Sequence, residues 1–157
     1  MGAVKKSVRI ERLLTKMQGH KTYFDTNILI YVLANVEGYV EVCLPFFSAV
    51  ALKKIVGCTG EMTIAELLVK PMQDNNMLEI EKIKSLFAEP DYFQTFAHDR
   101  ATLELAAYIR ATQKLKMIDA IHTATAIKGG CKFMLTHDKL MTRNVSGIEV
   151  VNIADYL

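Results

Sequence analysis

Cysteine, proline and tryptophan are scarce or missing, and each shortage narrows the field. Cys43, Cys58 and Cys131 are three in number, with no Cys-x-x-Cys spacing. An odd, scattered set gives no support to a thiolate zinc site and fits a reducing compartment, so a cytoplasmic location is expected. The four histidines form no His-Glu-x-x-His pattern, which leaves a zinc protease without its ligands. The longest uncharged apolar stretch, Val42 to Leu52, is far too short to span a bilayer. The basic start is not followed by an apolar region long enough for a signal peptide. No membrane association is expected. Internal repeats and low-complexity segments are also absent.

What is present is a chain of 157 residues, 51% of them apolar. That length suits one domain with a substantial core. Net charge is +2 overall but unevenly spread, at +5 in residues 1–21 and −3 in the rest. A basic arm on a mildly acidic body points to a polyanionic partner. Residues 1–20 are read as a basic N-terminal extension. Val4, Val8, Leu13, Leu14 and Met17 are loosely helix-spaced there. A short amphipathic helix that docks on the body, pairs with a second subunit or contacts nucleic acid competes with a solvated, frayed segment.

From Lys21 onward, short strand-like runs alternate with helical ones. Tyr23 and Phe24 form strands readily, and Asp25, Thr26 and Asn27 are cap formers ahead of the apolar run from Ile28. A buried strand ending at Asp25 and a helix opening at Thr26 or Asn27 are expected. A helix is expected over Val42 to Val56, with Pro45 in its first turn. A second strand is expected within Gly57 to Met62. Thr63-Ile64-Ala65-Glu66 has the form of a capping box, opening a helix that stops near Pro71. Another helix covers Asn75 to Phe87. After a break at Glu89-Pro90-Asp91, Tyr92 to Phe96 is the third strand. Asp99 caps a helix over Ala101 to Thr112. Met117 to Lys128 is helical, with Met117, Ala120, Ile121, Ala124 and Ile127 on its apolar face, and ends at Gly129-Gly130. Lys132 to Leu135 and Ile148 to Val151 complete the strands. This alternation predicts an α/β fold, with a parallel sheet covered by helices on both faces.

Two of these strands end in acid-bearing motifs, Asp25-Thr26-Asn27 and Thr136-His137-Asp138. If the strands are parallel neighbours, both motifs lie on one rim of the sheet. A carboxylate cluster without a His or Cys ligand set is a hard, oxygen-rich site suited to magnesium or manganese. Its chemistry would be attack on a phosphate ester by metal-activated water. On its own segment Asp25 reads first as a plain helix cap. Glu66 could simply complete the capping box, and Asp119 could be an ordinary helix-start acid, since spacing alone does not carry either to the rim. His122 reads as a packed, hydrogen-bonded histidine and His137 as a loop residue. The methionines read as core filler. Lys139 and Arg143, after Asp138, are either RNA-steering or simply solvated.

Taken together, Phe24-Asp25-Thr26-Asn27, Thr63-Ile64-Ala65-Glu66-Leu67, Asp119-Ala120-Ile121-His122-Thr123-Ala124-Thr125-Ala126 and Leu135-Thr136-His137-Asp138 resemble a PIN-domain ribonuclease. In length and motif layout the chain is most similar to the VapC-type toxins of prokaryotic toxin–antitoxin pairs. The resemblance covers about residues 22–157, so the PIN-like nuclease domain is placed at 21–157. It implies a three-layer fold with a central parallel sheet of about five strands, in order 3-2-1-4-5, flanked by helices. It implies that Asp25, Glu66, Asp119 and Asp138 converge as catalytic acids and ligands of Mg²⁺ or Mn²⁺, with Thr26, Asn27 and Thr136 in support. It further implies an RNA substrate, an antitoxin partner whose C-terminal segment plugs the acidic pocket, and a homodimer. Hydrolysis by water would leave a 5′-phosphate and a 3′-hydroxyl. About twenty residues precede Asp25-Thr26-Asn27, where toxins of this type reach that motif almost at once.

Other phosphotransfer folds fit less well. A haloacid-dehalogenase-like phosphatase needs Asp-x-Asp after its first strand, and Asn27 holds the second position. A receiver domain needs an acidic pair before that strand, and only Glu11 precedes it. The competing functional reading is a PIN-like module that binds RNA or protein without cutting.

Overall fold

Lys21-Thr22-Tyr23-Phe24 forms β1, and the remaining strands are built outward from it. The computed structural model describes residues 2–88, 92–142 and 147–157; the expected break at Glu89-Pro90-Asp91 and Arg143 lie outside the described residues. β1 (Lys21–Phe24) pairs on one side with β2 (Val56–Gly60) and on the other with β4 (Phe133–Thr136). β3 (Gln94–Phe96) extends the β2 edge and β5 (Glu149–Asn152) the β4 edge. All four pairings are parallel, and the order is β3-β2-β1-β4-β5. This is the sheet implied by the family resemblance.

Parallel strands need crossover helices, which bury both faces of the sheet. Among the described residues seven α-helices do this: α1 (Gly2–Met17), α2 (Thr26–Leu33), α3 (Val40–Ala51), α4 (Glu61–Gln73), α5 (Met77–Ala88), α6 (Arg100–Gln113) and α7 (Met117–Lys128). Alternate side chains of a strand point to opposite faces. Phe24, Phe133 and Leu135 therefore face one core with α1, α2, α3 and the inner positions Leu67 and Ile83 of α4 and α5. Tyr23, Cys58 and Met134 face the other, closed by Ala106 and Ile109 of α6 and Ala120 and Ala124 of α7. In the first core Phe24, Phe47 and Phe93 meet edge to face, with ring centroids 5.1 to 5.8 Å apart.

Several local expectations are corrected. Residues 2–17 form a docked helix rather than a frayed segment, with Ile10, Leu13 and Met17 buried. Val4 and Val8, counted in its apolar pattern, are exposed, because the 10/13/17 arc lies on a different side of the helix. Helix α3 begins at Val40 and ends at Ala51, so Pro45 lies in its interior and not in its first turn. The chain then turns through Lys53, at φ 56, and Val56 enters β2.

The capping box is also overturned. Gly60 caps α4, and Thr63 and Glu66 lie inside the helix. A Cβ at Gly60 would fall 2.6 Å from His98 and 2.7 Å from the Tyr23 hydroxyl, so no side-chain cap fits. Helix α4 also runs through Pro71 to Gln73. Helix α7 is buried on nearly every side from Ala120 to Ala126, while Met117, placed on its apolar face, is exposed.

The docking of α1 is testable. Met17 is fully buried, so Met17→Ala should cost about 2–4 kcal/mol through the cavity it leaves. Urea unfolding measures this, and a cost under about 0.5 kcal/mol, typical of a surface site, would mean α1 does not pack as described.

Candidate active site

Asp25 directly follows β1 and occupies the N-cap of α2, with extended backbone at φ −66 and ψ 153. Its Oδ1 accepts from the Thr26 backbone N–H at 2.9 Å. Its Oδ2 accepts from the Thr136 hydroxyl at 2.7 Å and, more weakly, from Asn27 Nδ2 at 3.5 Å. Asp25 N–H donates to Leu135 C=O at 3.0 Å, extending the β1–β4 ladder by one residue. The cap reading and the rim-carboxylate reading are thus both true of one side chain. Burial pushes the Asp25 carboxyl above its usual range, opposed by the positive charge of His122 and the bonds from Thr136 and Thr26.

Helices α4 and α7 bring a second group to the same place. Glu66, on the second turn of α4, accepts at Oε1 from the Thr26 hydroxyl at 2.7 Å. The same oxygen lies 2.6 Å from His122 Nε2. His122 Nδ1 is 2.7 Å from the Tyr23 hydroxyl, so both ring nitrogens are engaged within the protein. Thr63, one turn before Glu66, is tied to Thr59 at 2.7 Å, and the Thr59 hydroxyl donates to Phe24 C=O at 2.9 Å.

Burial disfavours charge on both members of the Glu66–His122 pair, but their mutual bond prevails. His122 is raised above its ordinary value and Glu66 is lowered below its own. The stabilisation from Glu66 is present above its unfolded pKa and fades as pH falls through its lowered one. That from His122 is present at low pH and fades as pH rises through its raised one. The pair is therefore ionic in the window between the lowered Glu66 value and the raised His122 value.

Asp119 and Asp138 complete the set. Asp138 follows β4 by two residues. Its N–H donates to Thr136 Oγ1 at 3.1 Å and its Oδ1 accepts from Leu140 N–H at 2.9 Å. Asn152 Nδ2, at the end of β5, donates to Asp138 C=O at 3.2 Å. Asp119 is the third residue of α7 and half-buried. Its carboxyl is pushed up to about 6 by burial first, then by the charges of Asp138 and Asp25. Asp119 thus lies in the field of both Asp138 and Asp25, while Glu66 is tied to Asp25's neighbour Thr26.

Among the described residues, no three His, Cys, Asp or Glu side chains stand close enough to close round one ion. The donor chemistry nonetheless fits a hard divalent cation. The available groups are carboxylate oxygens, and Asn27 Oδ1 is buried without a partner among the described residues. Mg²⁺ keeps several waters and needs only one or two direct carboxylates, so a closed cage is not required. His122 has no free nitrogen for a metal. His137 is bonded to the Tyr31 hydroxyl at 2.6 Å and packed against Tyr39, as a loop histidine. Lys139 is exposed immediately after Asp138. The group whose part was not foreseen is His122. Its position one turn after Asp119 was the available signal, yet nothing in the sequence says that its Nε2 reaches Glu66 on another helix.

A carboxyl raised in the folded state weakens the fold wherever it is ionised. Asp119 therefore costs stability above about pH 6, and the cost is relieved as pH falls toward the unfolded value near 4. Asp119→Asn should stabilise the metal-free protein at pH 7.5 by about 1 kcal/mol after allowance for solvent screening, or about 2–4 °C in Tm. The gain should vanish by about pH 4. Calorimetry at the two pH values measures it, and equal gains at both would mean the acids do not repel.

No curated protein sequence matches the chain significantly. Among solved structures, a toxin–antitoxin complex from Klebsiella pneumoniae superposes with a TM-score of 0.65 at 21% identity, covering 83% of this chain and 96% of that one. VapC20 from Mycobacterium tuberculosis, described as a sarcin–ricin-loop-cleaving toxin, gives 0.65 at 11% identity, covering 82% and 98%. FitAcB from Neisseria gonorrhoeae gives 0.62 at 17%, covering 83% and 96%. At these identities the likeness is one of fold. The family profile described as PIN domain matches residues 22–145, a span that holds all four acids, and the chain therefore belongs to the PIN-domain family.

Proposed function

We propose that this PIN-domain protein is a Mg²⁺- or Mn²⁺-dependent endoribonuclease acting as the toxin of a toxin–antitoxin pair. The observation that carries this reading is geometric: Thr136 Oγ1 donates to Asp25 Oδ2 at 2.7 Å and accepts from the Asp138 N–H at 3.1 Å, which gathers two acids on one rim of the sheet, and Asp119 lies in the field of both. Nearby carboxylates from three segments are costly to keep ionised without a countercharge. A divalent cation, when bound, supplies that charge, activates a water and neutralises the attacked phosphate.

In this reading Asp25, Asp119 and Asp138 would share the cation, one or two of them directly and the rest through its waters, with Glu66 at the margin of the cluster. Thr136 fixes the Asp25 carboxylate and orders the turn at Asp138. Thr26 sets the Glu66 oxygen, and Asn27 offers its unpartnered Oδ1. His122 holds Glu66 from the opposite side. Water as the nucleophile leaves a 5′-phosphate and a 3′-hydroxyl.

The toxin role is supported by structural neighbours described as a toxin–antitoxin complex and as a sarcin–ricin-loop-cleaving toxin. It is also supported by a groove of about 280 Å³ between α2 and α4–α5, lined by Ile30, Leu33, Leu67, Pro71 and Ile83, with Glu66 in its wall. An antitoxin segment with an apolar face and a terminal cation would fit there and neutralise the acids. A homodimer and a cytoplasmic location belong to the same proposal.

Two experiments decide the chemistry. Asp25→Asn should lose at least about 100-fold in cleavage rate while RNA binding, read by gel shift, persists; EDTA should abolish cleavage and Mn²⁺ restore it. Full cleavage in EDTA removes the metal mechanism, and no cleavage of any RNA with Mn²⁺ favours the non-cutting binding module. Because the acids must shed their protons to take up a cation, the cleavage rate should fall as pH drops through about 6. A rate that stays flat down to pH 5 would mean Asp119 is not needed in ionised form.

A further inference from the structure

The body of this protein is poorly charged for holding RNA, at −3 outside residues 1–21. Its basic excess is concentrated in α1, and two contacts fix how that helix lies. Lys16 Nζ pairs with Glu149 at 2.6 Å, at the first residue of β5. Arg9 stacks over the Tyr156 ring at 4.9 Å, beyond the last residue of β5. Seven residues of helix rise about 10 Å, close to the length of a four-residue strand. Helix α1 thus runs antiparallel to β5, and Lys5, one turn beyond Arg9, lies toward the edge where the acids gather. β5 is also the strand that touches the acid cluster, through Asn152 and Asp138.

Helical spacing places Lys5, Arg9, Arg12 and Lys16 on one face, since 5, 9, 12 and 16 fall within one narrow arc. That face is separate from the buried arc of Ile10, Leu13 and Met17. All four basic side chains are exposed. Lys16 is committed to Glu149, whereas Lys5 and Arg12 have no ion pair or ring contact among the described residues. A row of cations leading to an acidic pit suits a strand of phosphates whose cleavage point sits in the pit. The row neutralises flanking phosphates at the helical repeat, away from the site where carboxylates would repel them.

We propose that the exposed stripe Lys5, Arg9 and Arg12 of α1 is the docking track for the phosphate backbone of a single-stranded RNA. The inference rests on the nuclease reading for what happens at the end of the track, but the track itself is tested by binding. The probe is a fluorescein-labelled single-stranded RNA of about 12 nucleotides, followed by anisotropy in EDTA over a range of salt. The combined Lys5→Gln, Arg12→Gln change touches no packed group and is the primary variant; adding Arg9→Gln extends it.

The triple variant should bind about 10-fold more weakly, with the slope of log affinity against log salt shallower by about 2, as expected for three lost phosphate contacts. Replacing Lys53, Lys82 and Lys84 by Gln removes as much charge elsewhere and should leave the slope unchanged. Equal losses in the two sets, or no loss in the α1 set, overturn the track. The latter result leaves an acidic protein segment as the stripe's partner. Failure of the nuclease reading registers separately, as an unmodified chain that binds this RNA and never cuts it with Mn²⁺.

Discussion

Because β1 and β4 run side by side in the same direction, with Phe24 opposite Leu135, the turns that follow them leave the sheet at one edge. Asp25 then comes within 2.7 Å of the Thr136 hydroxyl, and Thr136 in turn accepts the backbone N–H of Asp138. One threonine therefore spaces two acids that would otherwise repel each other apart. Every other group at the site is placed relative to that pair. Thr26, next to Asp25, reaches Glu66, and Asn152, paired with Thr136 in β5, holds the Asp138 carbonyl. Without the parallel register these contacts have no common geometry.

The site stores unfavourable electrostatics in a fold that is otherwise conventionally stable. Asp25 is buried and disinclined to ionise, and Asp119 is pushed up to about 6. The Glu66–His122 pair works in the opposite direction, since each member favours the charged form of the other. It supplies a positive charge on His122 beside Asp25 that outweighs the repulsion Glu66 adds there. The result is a negative pit partly screened on the α7 side, and a cation would relieve what remains.

Helix α1 changes how the family fold is presented. It lies on the sheet face built by α2 and α3 and carries its charge along the β5 edge, with Lys16 at Glu149 and Arg9 at Tyr156. A chain whose body is mildly acidic thereby carries its basic surface on a helix that lies outside the family match. Its burial of Ile10, Leu13 and Met17 makes the added helix part of the core, so its charges keep a fixed place relative to the site.

Much of this was written locally. Tyr23-Phe24-Asp25-Thr26 specifies a strand, a cap and a helix start without help from distant residues, and Asp99 does the same for α6. Met117 to Lys128 ends where Gly129-Gly130 says it should. Local rules misled where packing overrode them. Thr63 and Glu66 match a capping box, but Gly60 is the cap, with the space beside it taken by His98 and Tyr23; the helix starts three residues earlier and Glu66 turns inward. Pro45 and Pro71 sit inside helices because the burial of Val42, Cys43, Phe46 and Phe47 around Pro45, and of Leu67 and Pro71 itself, outweighs one missing hydrogen bond. The sequence by itself determined the alternating elements, the oxygen-only character of the acids and the basic arm, since these depend on residue type and short-range periodicity. Only the tertiary structure decided that His122 clamps Glu66, that Asp119 lies in the field of Asp25 and Asp138, and which way α1 points. Those facts depend on distances between segments far apart in the chain, and such distances are set by strand order and core packing.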